Sequence, residues 1–184
     1  FGDVKLREDS KAKGRWETNH GGEYFAAGVG GSITGRGADL LIIDDPHTEQ
    51  DSMSDTAMDR TYDWYSSGPR QRLQPGGRIV VVMTRWATDD LTGRLVKAQT
   101  EPKADKWNVI EFPAVMPNGS PVWPEYWSKE DLDSVKASIS TKNWNAQYMQ
   151  DPTSEEGAII KREWWQDYDK EYLPKLLHVI QSYD

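Results

Sequence analysis

Four aliphatics followed by two acids, Leu40-Leu41-Ile42-Ile43-Asp44-Asp45, form the strongest chemical signal in this sequence. A short apolar run bounded by glycine and acids is the pattern of a strand buried on both faces. In a nucleotide-hydrolysing α/β arrangement, the first acid at such a tip holds Mg²⁺, usually through water, and the second polarises the attacking water. Two acids after a strand also open many ordinary solvated loops, so the motif gains meaning only from its company. Further along, Val80-Val81-Val82-Met83 runs into Thr84-Arg85-Trp86. A hydroxyl at the tip of a neighbouring strand can sense a γ-phosphate and pass its presence to the segment that follows. A third signal, Gly35-Arg36-Gly37, places an arginine between glycines just before the acidic strand. Such a residue suits a finger that stabilises phosphoryl-transfer charge in its own or a neighbouring subunit, and a solvated loop arginine is the ordinary alternative.

The segment Gly30-Gly31-Ser32-Ile33-Thr34-Gly35-Arg36-Gly37 imitates a phosphate-binding loop, but Arg36 stands where lysine is required and Gly37 where a serine or threonine should reach Mg²⁺. A strand pattern follows it instead of a helix, and no Gly-Lys pair occurs anywhere in the chain. The expectation is therefore that any phosphate-cradling half lies upstream of Phe1. The chain begins without Met, within what reads as folded sequence, and is expected to be a piece of something longer.

These residues need a scaffold. Residues 1–22 are polar and without clear period, which reads as a connecting or irregular segment. A helix from about Ser54 to Tyr65, stopped by Gly68-Pro69, separates the acidic strand from a second strand, Arg78 to Met83, preceded by a turn at Pro75-Gly76-Gly77. Strand, helix, strand is a βαβ unit, which sets the strands parallel and collects ligands at their carboxyl ends. Asp90 to Gln99 is expected to be helical with Thr88 as its cap, and Trp107 to Phe112 to be a further strand. Pro117 to Pro121 is a turn. Ser128-Lys129-Glu130-Asp131 reads as a capping box opening a helix to about Ile139, and Thr141 to Gln150 as a helix closed by Asp151-Pro152.

Composition sets the outer limits. The 184 residues suit one domain, or one domain and an edge of another, with 36% hydrophobic and 28% charged residues. Nine Trp, eight Tyr and three Phe are too many for a disordered chain. No run approaches the ~20 apolar residues of a bilayer span, and the N-terminus lacks a signal peptide's regions. The absence of Cys removes disulfides, a thiol nucleophile and Cys-ligated zinc, and three His leave little for a histidine metal site. A net charge of −8 means that any contact with a polyanion must come from a local basic patch.

Taken in order, Gly35-Arg36-Gly37-Ala38-Asp39-Leu40-Leu41-Ile42-Ile43-Asp44-Asp45-Pro46-His47, then Val82-Met83-Thr84-Arg85-Trp86 with Asp89-Asp90-Leu91-Thr92-Gly93-Arg94-Leu95, Gln147-Tyr148-Met149-Gln150-Asp151-Pro152 and Ile180-Gln181-Ser182-Tyr183-Asp184 resemble the large terminase subunit of tailed bacteriophages. That family comprises ATPase–nucleases that package DNA into proheads. The resemblance implies an α/β fold with a P-loop-type, RecA-like parallel sheet and flanking helices, incomplete because the Walker A half is missing. It implies a motor-domain section over 1–152, a linker over 153–175 and the first strand of an RNase H-like nuclease over 176–184. Asp44 would be the Walker B metal carboxylate, Asp45 the catalytic carboxylate, Thr84 part of the coupling motif, Arg36 the arginine finger and Asp184 the first nuclease metal ligand. ATP and Mg²⁺ would be the cofactors. Double-stranded DNA, a portal protein, a small terminase subunit and copies of the chain in a ring would be the partners, without a membrane, in the host bacterial cytoplasm. This section alone is expected to be inactive. Another nucleic-acid ATPase such as a helicase, or a non-enzymatic interaction module using Trp164, Trp165, Tyr168 and Tyr172, are the competing readings.

Overall fold

The computed structural model describes residues 2–153. The chain divides into two units at Thr153/Ser154. The rest of the linker expected over 153–175, the strand over 176–184, the aromatic residues Trp164, Trp165, Tyr168 and Tyr172, and Asp184 lie outside the described residues.

The first unit is mixed α/β, with a small parallel sheet and flanking helices. Its N-terminal part departs from expectation. Residues 1–22 are not irregular: β1 (Leu6–Ala12), β2 (Arg15–Thr18) and β3 (Glu23–Phe25) form an antiparallel sheet in the order β1-β2-β3. No apolar alternation announces these strands, because they bury almost nothing. Cross-strand pairs hold them instead. Arg7 reaches Glu17 at 2.6 Å, Arg15 reaches Glu23 at 3.1 Å, and the Trp16 and Tyr24 rings stack with centroids 4.9 Å apart.

The βαβ unit is present. β4 (Ala38–Asp44) pairs in parallel with β5 (Leu73–Val82), with Leu41 opposite Ile79 and Asp44 opposite Val82. Between them runs α1 (Asp55–Ser67), capped by Ser54, whose side chain accepts from the Ala57 N–H, and ended at Gly68 before Pro69. β5 begins earlier than expected. Pro75-Gly76-Gly77 is not a turn before the strand but an irregularity within it: Ala38 pairs with Leu73 and Leu40 already with Arg78, so the extra β5 residues loop outward where Gly76 takes φ +81°.

Burial corrects a second expectation. Among the described residues, the strands are covered on one face only. Ile43 packs with Tyr65 of α1 and with Leu91 and Leu95 of α2 (Leu91–Ala98), with Leu41, Ile79 and Val81 against that cluster. Leu40, Ile42, Val80 and Val82 on the other face are exposed. The reason is the pleat: alternate side chains point to opposite faces, and the described helices lie against one of them. The cap of α2 is Asp90, which accepts from the Gly93 N–H at 2.8 Å, and not Thr88.

Trp107 to Phe112 forms no strand. It lacks a ladder partner among the described residues, and Val109, Ile110 and Phe112 are exposed. Beyond it, Met116 and Ser120 close the expected turn around Gly119 at φ +82°. α3 (Lys129–Ser138) opens on the reciprocal Ser128–Asp131 capping box. The last helix is short and changes pitch: α4 (Thr141–Asn143) passes into a π-helix, Trp144–Tyr148, ended by Gln150 at φ +59°. Among the described residues no helix is long and apolar enough to cross a membrane.

Candidate functional site

The parallel ladder brings the two chemically interesting strand ends side by side. The Asp45 N–H donates to the Val82 carbonyl at 2.9 Å, one step past the last strand pair. The chain then turns sharply, with Asp45 at φ +40°. Left-handed backbone is uncommon away from glycine, and aspartate is among the residues that tolerate it best. This turn carries the Asp45 carboxylate across to β5, where its Oδ1 accepts the Thr84 N–H at 3.2 Å. Asp45 and Thr84 are therefore hydrogen-bonded neighbours. Asp44, at the end of β4, is exposed.

Behind these tips lies a buried polar network to which the sequence reading assigned no role. Pro46 and His47 are buried, and His47 Nε2 accepts the N–H of Leu91, the first residue of α2, at 2.9 Å. That amide is one of the donors a helix N-terminus cannot satisfy internally. An accepting Nε2 puts the proton on Nδ1, which is buried and has no hydrogen-bond partner among the described residues. Burial pushes the His47 pKa below its ordinary 6.5, against a smaller opposing pull from Asp90 and Asp51. The neutral ring fits the hydrogen bond.

Asp90 is fully buried and collects four donors. Arg85 Nε approaches its two oxygens at 3.1 and 2.9 Å, and the Trp86, Ala87 and Gly93 N–H groups lie at 3.0, 3.4 and 2.8 Å. The Arg85 N–H in turn donates to Gln150 Oε1 at 3.3 Å. One chain of contacts thus joins the residue after Thr84, the N-terminus of α2 and the segment following the π-helix. The signal available in the sequence was Asp90 itself, two residues before Thr92-Gly93: an acid there can be either a solvated loop residue or a cap, and only burial shows which.

Arg36 is positioned differently. It is half-buried, ion-pairs with Glu23 of β3 and lies over the Phe25 ring, 4.2 Å from its centroid. It precedes β4, whereas the acids follow it. Seven residues of strand put roughly 20 Å between the two ends. The structure brings Asp44, Asp45 and Thr84 together, and Arg36 stands apart from them.

The Gly30–Gly37 segment leads into strand β4, so no helix N-terminus faces a phosphate there. For magnesium the donor set is compatible but small. Among the described residues no group of three or more His, Asp or Glu could hold a metal. Mg²⁺, however, commonly takes one or two carboxylates and completes its shell with phosphate oxygens and water, and an exposed strand-end carboxylate such as Asp44 suits that pattern. Two cavities, of about 300 and 190 Å³, open elsewhere and include none of Asp44, Asp45 or Thr84.

Comparison with protein-family models and with curated proteins finds no match to this chain.

Proposed function

We propose that this chain is a section of a nucleotide-hydrolysing, DNA-translocating motor of the terminase large-subunit kind, with a P-loop-type parallel sheet whose phosphate-cradling part is supplied from outside these residues. The observation that carries the reading is the hydrogen bond between Asp45 Oδ1 and the Thr84 N–H at the ends of two parallel strands. A general carboxylate that orients water must itself be held still, and this bond, with the left-handed turn at Asp45, holds it. The uncovered apolar face of β4 and β5 also supports the reading, because a parallel sheet is ordinarily covered on both sides.

In this scheme Asp44 holds Mg²⁺, which when bound neutralises charge on the phosphates. Asp45 orients the attacking water and accepts hydrogen bonding from it. Aspartate is one methylene shorter than glutamate, so the water must approach the strand end closely. Thr84 transmits the state of the tip, because a shift of Asp45 pulls directly on the backbone that continues into Arg85 and the network around Asp90. Arg36, at the far end of β4, serves as a finger toward a neighbouring copy in a ring. Asp184 is assigned to the nuclease's metal site. Double-stranded DNA, a portal protein and a small subunit are the proposed partners, in the host bacterial cytoplasm.

The test is ATP turnover of the complete polypeptide encoded by its reading frame, with Asp45→Asn beside it. Asparagine keeps an oxygen for the Thr84 N–H but removes the charge. Nucleotide binding should persist while turnover falls by at least ~10². Turnover indifferent to the substitution, or absent from the parent, refutes the proposal.

A further inference from the structure

Among the described residues, two that are not glycine take left-handed backbone, Asp45 at φ +40° and Gln150 at φ +59°. They lie on different elements: Asp45 follows β4, and Gln150 follows the π-helix Trp144–Tyr148. Their side chains nevertheless converge on one short stretch of backbone. Asp45 Oδ1 accepts the Thr84 N–H at 3.2 Å, and Gln150 Oε1 accepts the Arg85 N–H, the next amide along, at 3.3 Å.

A left-handed residue that ends a helix is ordinarily glycine, which has no Cβ to crowd the turn. Glutamine is not among the residues that tolerate this backbone best, so what it adds here is its side-chain amide. That amide is held from two sides: Nε2 donates to the Gln147 carbonyl at 2.6 Å while Oε1 accepts from Arg85. The first bond fixes the orientation of the group, because an NH₂ cannot accept the Arg85 N–H. Gln150 and Arg85 are both half-buried, which limits exchange of their bond for one to water. The Arg85 side chain is tied separately, its Nε to the buried Asp90 carboxylate.

We infer that Gln150 is a positioning residue for the Asp45 strand tip. Each peptide unit is a rigid plane, and the planes on either side of the Thr84 Cα carry one of these two N–H groups each. With the Arg85 plane fixed by Gln150, the Thr84 N–H keeps its direction toward Asp45. Without Gln150 both planes gain freedom, and the carboxylate loses its fixed partner. The inference deepens the hydrolysis reading above and rests on it: Gln150 touches no reacting group and acts through Thr84 on the carboxylate that orients water.

The experiment is steady-state ATP turnover of the complete polypeptide carrying Gln150→Gly or Gln150→Glu, with hydrogen exchange of the Thr84–Arg85 segment followed on the same proteins. Glycine accepts the left-handed backbone and withdraws the amide, whereas glutamate keeps an acceptor for the Arg85 N–H. In Gln150→Gly, kcat should fall about tenfold while KM for ATP stays within about twofold of the parent's. Exchange of the segment should quicken about tenfold, with the thermal midpoint within about 3 °C. Gln150→Glu should keep at least about half of the parent's kcat. A purely structural role moves the midpoint and not this split. Should Gln150→Gly lose its fold, Gln150→Asn, which tolerates the same backbone with a side chain one methylene shorter, is read in its place. Unchanged kcat in the folded variant, or an equal loss in Gln150→Glu, overturns the inference while the parent's turnover still supports the hydrolysis reading. A parent without turnover overturns that reading and this inference together.

Discussion

Replacing Asp90 by alanine tests the buried network at its centre. The carboxylate is 0% exposed and its partner Arg85 is 16% exposed, so the pair lies beyond the screening that reduces surface ion pairs to almost nothing. Removing one member of such a pair leaves the other charge buried, at a cost of about 3–5 kcal/mol. The helix cap is lost in the same step, since Asp90 Oδ1 is the acceptor of the Gly93 N–H, and caps are worth about 0.5–2 kcal/mol. These losses share one side chain and are not additive. The expected total is about 4 kcal/mol, a large share of the 5–15 kcal/mol that holds a typical domain together. Urea unfolding followed by tryptophan fluorescence should show the midpoint falling by roughly 2 M at unchanged slope, for a slope near 2 kcal/mol/M. Adding Arg85→Met should recover part of the loss, because the orphaned charge is then gone. A loss below about 1 kcal/mol, or a double variant no better than Asp90→Ala, would refute the claim that this pair acts as a buried unit.

Other substitutions separate competing effects. Gly93→Ala should destabilise by about 1–3 kcal/mol despite alanine's roughly 1 kcal/mol helix preference, because the new Cβ collides with the Thr88 carbonyl oxygen; a higher unfolding midpoint would show that the loop yields. The Tyr65 hydroxyl is buried without a partner among the described residues, and its pKa is raised to about 12, chiefly by burial. Tyr65→Phe should therefore be neutral or stabilising by up to about 1 kcal/mol, and a clear drop in the thermal midpoint would contradict that. His47, whose pKa is depressed by burial, is protonated more readily in the unfolded chain. Its contribution is thus complete above the ordinary value of 6.5 and drains away as pH falls below it, with a slope of at most ~1.4 kcal/mol per pH unit. His47→Gln should flatten the stability profile between about pH 7 and 5, and an unchanged profile would show that another group sets it.

Local features were legible from residue order. The helix over Asp55–Ser67 follows from its helical pattern with Gly68-Pro69 as a stop, and α3 from the Ser128–Asp131 box, because caps and breakers act within a turn of the chain. The two aliphatic runs and the helix between them implied parallel strands, and so the meeting of Asp45 and Thr84, from connectivity alone. What depends on distant partners was not legible. The β1–β3 sheet rests on pairs such as Arg7–Glu17, whose value appears only once the strands are aligned. Trp107–Phe112 has strand-like residues but, among the described residues, no neighbour to complete a ladder. Burial on one face or two is set by which helices lie against the sheet, and Leu40 and Ile42 carry no record of that. The same holds for the site: the acids at the strand end can be read directly, whereas Asp90 as a buried acceptor of four donors, His47 as a clamp on α2, and the pairing of Arg36 with Glu23 at the opposite end of β4 arise from contacts across the fold. Short-range chemistry is written in residue order; desolvation and convergence exist only after the chain has folded.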